Sequence, residues 1–440
     1  MKGVILAAGK GFRMGWSFGE KPKCLISILG LSLIERILYA FKECGIDEVI
    51  VVIGYRGDLI KEKIAGLDLT GLSIKFVENE NWEKGNKSSL KVALDFIERD
   101  EYFLLVMSDH IYENALLKEA LDKLGRNELC LFCFQAKDGD NFKEASRVKV
   151  INSKVLAVGK NVDSNLIDCG LMILKGDIID VYMKESIEGE LSEAITNYSR
   201  ERDVSIYYFN NYYWQDIDTY QDYCLARGKL LKSLITKREG IISRKINRFV
   251  SLKITGIISN YSIKPNIISI ISFIFGIISA LLFVWGKVIW GGIMAQLSSI
   301  IDGVDGEVAR AKYLKNQYGS YLDSVLDRYA DAAIILGMSL YSLGSIRYEL
   351  VLIVALIALL GSVMSMVTKE KFQSEYGFPY IQSIYDGWIQ YLPASRDGRL
   401  FVVFLGGLFE QVFVALIVLA ILSNFQALYR AIYIVRKIRV

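Results

Sequence analysis

A single histidine, His110, stands in 440 residues, and none of the six cysteines has the company that a metal or redox centre needs. Cys130 and Cys133 form a lone CxxC inside "ELCLFCFQA", which reads as a buried strand. Residues three apart on a strand point to opposite faces, a poor chelating geometry. No second pair follows, so core cysteines are expected. Nor do six cysteines make a disulfide framework at this length. Charge of one sign is equally scarce. Lys and Arg number 52 against 49 Asp and Glu, a net of +3. That balance gives no reason to expect nucleic acid as a partner. A leader is also missing. "MKGVILAAG" reads as a short apolar strand running into a glycine loop, without a cleavage site. The N-terminal domain is therefore expected to stay in the cytoplasm.

What is abundant is apolar residue, at 52%, and it is concentrated. Residues 1–228 have the mixed charge of a soluble domain. Residues 266–435 carry long runs of Ile, Leu, Val, Phe and Gly. The first half alternates short β-rich runs with helical patterns. Strands are expected at Val4–Ala7, Glu48–Ile53, Ser73–Val77, Tyr102–Met107 and Val204–Phe209. Helices are expected at Ser32–Cys44, Gly57–Ile64, Lys87–Glu98 and Gly189–Tyr198. Such alternation argues for an α/β layer fold with a largely parallel sheet. Residues 229–262 follow as a basic linker. Within it, "KLLKSLITKREGIISRKINRFVSLKI" spaces apolar residues helically between Lys and Arg, as an interfacial amphipathic helix would.

The remainder, 263–440, reads as an all-α transmembrane domain of six helices. Spans are expected at Asn266–Trp285, Val288–Ile301, Gly319–Gly344 and Leu350–Val367. Leu400–Val435 is too long for one span and is interrupted at Glu410 and Gln411, so it is split in two. One set of span ends carries the basic linker, Arg310 to Lys315, Lys369 to Lys371, Arg396 to Arg399 and Arg436 to Arg439. By the positive-inside rule these ends are cytoplasmic. A multi-pass cell-membrane protein with both sites on the cytoplasmic side is expected.

Two stretches carry chemistry. The N-terminus places Leu6, Ala7, Ala8, Gly9, Gly11 and Arg13 at the end of a strand, followed by Pro22, Lys23 and Leu25. Glycines allow backbone N–H groups to approach phosphate oxygens, and Lys10, Arg13 and Lys23 add positive charge. The full pattern, L-A-A-G-x-G-x-R, then P-K-x-L, then G-x-x-L-I-x-R, resembles the signature of sugar-phosphate and alcohol-phosphate nucleotidyltransferases. The resemblance runs over residues 1–228 and implies a Rossmann-like domain. It implies that "GNKSSL", through Asn86 and Ser88, contacts the base. It implies that Asp109 in "LLVMSDH" holds the catalytic Mg²⁺, with a second ligand from "YYWQDIDTYQDY": Asp218 by preference, or Asp216. Lys160 would contact the phosphate of the acceptor. Arg13 and Lys23 would position the phosphates of the triphosphate. Ser108 stands where many relatives have Gly, and His110 follows the Asp.

The second stretch is "DGVDGEVARAKYLKNQYGSYLDSVLDRYAD". An ionised carboxylate at a membrane edge is costly and argues for function. Asp302 and Asp305 are three apart, Asp323 and Asp327 four apart, so each pair shares a helix face. Four carboxylates on two facing helices suit hard divalent cations such as Mg²⁺ or Mn²⁺. Gly306 and Gly319 leave room for a bulky ligand. The spacing D-x-x-D-G-x-x-A-R-x8-G-x3-D-x3-D resembles the signature of the CDP-alcohol phosphotransferases through Asp302, Asp305, Gly306, Ala309, Arg310, Gly319, Asp323 and Asp327. "IKPNIIS", with Pro265 and Asn266, resembles that family's entry motif. The resemblance implies two metal ions holding a CDP-alcohol diphosphate, Asp327 as general base, CMP as leaving group and a homodimer. Lys369, Arg396 and Arg399 are candidates for a phosphorylated acceptor, with a positive-inside role as the competing reading.

A cytidylyltransferase joined to a phosphotransferase makes sense when the first supplies the second. The pairing resembles the bifunctional inositol-1-phosphate cytidylyltransferase / di-myo-inositol-phosphate-phosphate synthase family. It implies CTP, inositol-1-phosphate and CDP-inositol as ligands. A lipid alcohol as acceptor is the first alternative. An ion transporter with a regulatory domain is the second, and it leaves the x8 spacing and Arg310 unexplained.

Overall fold

The computed structural model describes residues 1–10, 21–136, 145–184, 188–236 and 240–438. It divides into two compact units, Met1–Lys229 and Leu230–Val440.

The first unit is built on β1 (Lys2–Ala7), β2 (Glu48–Ile53), β3 (Ser73–Glu78) and β4 (Tyr102–Met107). β1 lies between β2 and β4, β3 pairs outside β2, and all these pairings are parallel. Val4, Ile5, Ile50, Val51, Leu104 and Leu105 are fully buried. That explains runs of branched aliphatics without alternation, since both faces of a parallel sheet are covered. A three-residue strand, β5 (His110–Tyr112), follows β4 directly. The sheet continues through β6 (Cys130–Gln135), β7 (Arg147–Ile151), β8 (Lys154–Gly159), β9 (Leu166–Lys175) and β10 (Ser205–Phe209). Its order is β3-β2-β1-β4-β9-β6-β10-β8-β7 among the described residues. Away from this sheet, β11 (Trp214–Asp216) pairs antiparallel with β5, so that His110 faces Asp216. Helix α1 (Leu33–Cys44) starts on a capping box, Ser32 with Glu35, and stops at Gly45 in the left-handed region. Helix α2 (Asn86–Leu94) starts at the GNKSSL stretch. Cys130 and Cys133 are buried and all six cysteines are free thiols.

In the second unit the basic segment is not one continuous helix among the described residues. One helix ends at Ser233, and α3 (Arg248–Ile258) follows a π-helical turn over Ser243–Asn247. The turn delivers Asn247 to α5 (Val288–Ala311), where it accepts from Gln296 at 2.7 Å and donates to Ser299 at 3.0 Å. The face that α3 buries is polar. Arg248, Ser251 and Thr255 all bond Glu307, which is fully buried on α5. Phe249, Val250 and Ile257 are left exposed.

The same inversion marks α4 (Pro265–Val284). Ser269, Ser272, Gly276 and Ser279 are buried, while Ile267, Ile270, Ile271, Ile274 and Ile278 are exposed. Small and polar residues inside with aliphatics outside is what a helix surrounded by lipid requires. After α5 come α6 (Gln317–Ser342), α7 (Tyr348–Tyr376), α8 (Arg396–Leu408) and α9 (Val412–Ile438). The last two are separated at Phe409–Gln411, where Glu410 adopts positive φ. Among the described residues, three helices are long and apolar enough to cross a membrane: Pro265–Val284, Tyr348–Tyr376 and, within α9, Val412–Tyr433. The Asp-rich stretch runs through α5 into α6, and α4 packs against both.

Candidate active sites

The first site lies where β1 and β4 end, the edge at which an open α/β sheet presents ligands. Leu6, Ala7 and Ala8 are buried there, and the Ser108 N–H donates to the Leu6 carbonyl at 3.2 Å. That bond ties the Ser108–Asp109 turn to the glycine loop. A side chain at Gly9 would meet nothing within 4 Å, so the loop borders open space. Gly11 and Arg13 lie outside the described residues.

Lys23 reaches into a ring of carboxylates. Its ammonium donates to Asp109 at 2.7 Å, to Asp218 at 2.7 Å and to Asp216 at 3.4 Å. Lys23 is 8% exposed. Burial opposes its charge, but the three carboxylates outweigh burial and hold it well above the usual lysine range. Burial likewise pushes Asp109 upward, yet Lys23 and His110 hold it well below the usual carboxylate range. Asp216 is raised, because burial and the neighbouring Asp109 exceed the help from His110 and Lys23. Burial lifts Asp168 to about 6, against the bond from the Gly170 N–H.

Asp109, His110, Asp168, Asp216 and Asp218 line a cavity of about 310 Å³ together with Asn86 and Lys160. Lys160 pairs with Glu190 at 3.0 Å. Ser88 is 2% exposed, and its hydroxyl is engaged by Asn79 and by the carbonyls of Asn81 and Gly85. Only Asn86 of the two base-contact candidates faces the cavity. The donors suit a divalent cation. Ligand atoms of Asp109, His110 and Asp216 lie within 4.8 Å of one another. Oδ1 of Asp109 is buried without a hydrogen bond. Asp218, the preferred second ligand from sequence, stands beside this trio and accepts from Lys23 as Asp109 and Asp216 do.

The second site sits on α5 and α6. Asp302, Asp305 and Asp323 bring ligand atoms within 4.8 Å of one another, again a fit for a cation. Ser269 of α4 donates to Asp305. Beside Asp305 and Asp323 lies a cavity of about 210 Å³, lined also by Pro265, Asn266, Gly306, Ala309, Arg310 and Gly319. A Cβ at Gly319 would stand 2.9 Å from Asn266 Oδ1, and one at Gly306 would stand 3.0 Å from an Arg310 nitrogen. Both glycines keep the floor of this cavity clear.

Asp327 is joined to that trio through Arg396. The Arg396 guanidinium bridges Asp302 at 2.9 Å, Asp327 at 2.9 Å and Asp331 at 3.2 Å. Arg399 pairs with Asp331 at 3.0 Å, and Ser362 donates to it at 3.1 Å. Arg396 and Arg399 therefore lie against the acidic cluster itself. Lys369 is half-buried on α7 and lines none of these cavities. Sequence reasoning passed over Ser269, Arg328 and Asp331. Asp331 had a signal, since it extends the four-residue period of Asp323 and Asp327.

Comparison with known proteins agrees with this division. The profile of the MobA-like NTP transferase domain matches residues 3–176, and that of the CDP-alcohol phosphatidyltransferases matches residues 262–385. A bifunctional IPC transferase and DIPP synthase of Thermococcus kodakarensis is 30% identical over 99% of this chain and 98% of its own. The protein of that name in Archaeoglobus fulgidus is 32% identical over 92% of this chain and 77% of its own. An archaetidylinositol phosphate synthase of Pyrococcus horikoshii is 29% identical over 38% of this chain and 80% of its own.

Proposed function

The chain belongs to the bifunctional IPC transferase and DIPP synthase family, and we propose that it performs two consecutive transfers, with inositol-1-phosphate as a substrate of each. In the first, a phosphate oxygen of inositol-1-phosphate attacks the α-phosphorus of CTP. The bond to the β-phosphate breaks, giving CDP-inositol and pyrophosphate. In the second, a hydroxyl of another inositol-1-phosphate attacks the inositol-bearing phosphorus of CDP-inositol. CMP leaves, and a phosphodiester that still carries a phosphate is formed. The observation that carries this reading is two separate cation-ready acidic sites in one chain, each beside a cavity lined by its own motif.

In the first site Lys23 and Arg13 bind and orient the phosphates, the glycine loop gives them backbone N–H donors, and Asn86 faces the base. Lys160 holds the acceptor phosphate. Asp109 with Asp216 or Asp218 would hold one or two Mg²⁺ or Mn²⁺ ions. In the second site Asp302, Asp305, Asp323 and Asp327 would hold two. When bound, these ions neutralise charge developing on the transferred phosphoryl groups. Gly306, Ala309, Arg310 and Gly319 form the seat of the nucleotide. Asp327 accepts the proton of the attacking hydroxyl. Arg396, Arg399 and Lys369 attract the phosphorylated acceptor, and Asp331 holds the two arginines in place.

This reading assigns residues 1–228 to a cytoplasmic domain and 229–262 to a segment at the membrane surface. It assigns 263–440 to six spans of a homodimeric, multi-pass membrane protein. One observation favours a second acceptor class. A groove of about 810 Å³ on α6 and α7 is lined by Tyr321, Val325 and Met366, and it shares Lys315, Asn316 and Ser320 with the nucleotide cavity. A lipid alcohol would suit such a groove.

The test is ³¹P NMR of the purified protein in detergent with Mg²⁺, CTP and myo-inositol-1-phosphate. Pyrophosphate, CMP and a new phosphodiester signal are expected together. Pyrophosphate with a CDP-alcohol but no phosphodiester would turn the second step toward lipid acceptors. No consumption of CTP would refute the choice of alcohol phosphate.

A further inference from the structure

We propose that His110 is a nitrogen ligand to the divalent cation of the soluble site. The inference rests on reading that cavity as the nucleotidyltransferase site. It goes beyond that reading by adding a ligand of a different chemical type.

Register puts the ring there. His110 of β5 and Asp216 of β11 are direct cross-strand partners, so their side chains share a face. The preceding turn swings Asp109 to the same spot. Nε2 of His110 lies 3.5 Å from Asp216 Oδ1 and 3.7 Å from Asp109 Oδ1. Ligands bound to one ion at about 2.1 Å stand roughly 3.0–3.4 Å from each other. The two edges from His110 need only a slight contraction, and all three ligand atoms lie within 4.8 Å of one another.

The tautomer fits as well. Nδ1 of His110 lies 2.7 Å from the Cys169 carbonyl, which can only accept, so Nδ1 carries the proton. Trp214 Nε1 lies 3.2 Å from the same nitrogen and, as a donor, pulls the other way. The shorter carbonyl contact decides. Nε2 then presents a lone pair toward two carboxylates that Lys23 also contacts, and a cation held between ring and carboxylates would be bound by all three. An imidazole whose far N–H is fixed by a backbone carbonyl is the usual setting of a metal ligand.

The surroundings hold this pose. His110 is 9% exposed. Gly170, at φ +63°, packs on the ring: a Cβ there would stand 2.9 Å from Cε1 and 3.0 Å from Nδ1. Asp109 Oδ1, on the other side of the gap, is buried and accepts no hydrogen bond. Mn²⁺ serves as the probe because it accepts the oxygen donors that Mg²⁺ takes and carries a spin that senses nitrogen. The acidic trio on α5 and α6 supplies oxygen alone, so nitrogen coupling to bound Mn²⁺ reports the soluble site.

The experiment is pulsed EPR of the full-length protein in detergent, loaded with Mn²⁺. Loss of the free Mn²⁺ signal measures binding, and electron-spin-echo modulation measures coupling to ¹⁴N. The wild type is expected to show imidazole coupling. His110→Asn keeps a donor toward Cys169 but deletes Nε2. It should lose the coupling and bind Mn²⁺ at the soluble site about 10–100-fold more weakly, as loss of a metal-site partner does. An unchanged circular dichroism spectrum and thermal transition in His110→Asn guard against misfolding of that variant. Coupling that persists in His110→Asn would overturn the proposal. So would a wild type that makes CDP-alcohol with Mn²⁺ yet shows no nitrogen coupling, and there the nucleotidyltransferase reading would stand. If Asp109→Asn leaves both Mn²⁺ binding and CDP-alcohol formation intact, the underlying reading fails with it.

Discussion

Asp331→Asn tests whether the acidic cluster on α6 is one residue longer than its motif. Asp331 is 7% exposed and accepts from Arg396 Nε at 3.2 Å, Arg399 at 3.0 Å and Ser362 at 3.1 Å. The other two nitrogens of Arg396 face Asp302 and Asp327, each at 2.9 Å. Asp331 thus sets the tilt of a guanidinium that touches two of the four motif carboxylates. Asparagine keeps one acceptor oxygen and turns an N–H toward an arginine. One charge-assisted hydrogen bond is lost, worth about 1.5–3 kcal/mol. At 1.36 kcal/mol per decade, that is on the order of 10–100-fold in the second reaction. The assay supplies CDP-inositol directly, so the soluble site is bypassed, and follows CMP release against acceptor concentration. The loss should appear in kcat/KM for the acceptor, while pyrophosphate release from CTP stays within about twofold of wild type. CMP release unchanged within twofold would refute the positioning role. An equal fall in both reactions would refute it too, because it would report lost stability.

Gly319→Ala puts a methyl group 2.9 Å from Asn266 Oδ1 and 3.1 Å from Asn316 Oδ1, which should raise KM for CDP-inositol at least about tenfold by crowding; CMP-release kinetics check this. Lys23→Met removes the cation among Asp109, Asp216 and Asp218. It should lower pyrophosphate release by about two orders of magnitude, the scale of one lost electrostatic contact in a transition state. CMP release from supplied CDP-inositol should not change. Asp168 gives a pH prediction. Its folded carboxyl is lifted to about 6, against an unfolded value of about 3.9. Between those values the native state holds more protons than the unfolded one, so its contribution to stability falls as pH rises through that window. Asp168→Asn should raise Tm by several degrees at pH 7.5, because that lift is worth up to about 3 kcal/mol, and by nothing measurable at pH 4. Thermal scans at the two pH values decide it.

Sequence revealed most where one physical cause acts over a short span. Glu48–Ile53 and Tyr102–Met107 emerge as strands with the bounds expected of them, because branched aliphatics run unbroken between polar ends. The split near Glu410 is found for a similar reason: two polar residues interrupt an apolar run, and the chain turns there. Pairings across long separations were not legible. Lys23 sits among Asp109 and Asp218, 86 and 195 residues away, and nothing local says that its partners are carboxylates. Ser269 shows the limit within a single helix. It shares its type and its face with Ser272 and Ser279, whose hydroxyls donate to the Ser298 and Gly291 carbonyls at 2.9 and 2.7 Å. Only the partner, Asp305, separates a serine of the site from serines that join helices.

The basic segment carries that point one step further. Helical spacing of apolar and basic residues suggests an amphipathic element, but it cannot say which face turns inward. Near lipid the usual rule reverses, because an apolar face needs no protein to cover it while a buried polar face must be satisfied in full. Arg248 becomes an interior residue because Glu307 lies on α5, two positions beyond Asp305. Taking one charge from such a buried pair costs about 3–5 kcal/mol. The α3–α5 contact is therefore held by the same helix that presents the motif carboxylates. A sequence pattern that specifies the acidic cluster consequently constrains residues well outside it, and hydropathy alone gives no sign of that constraint.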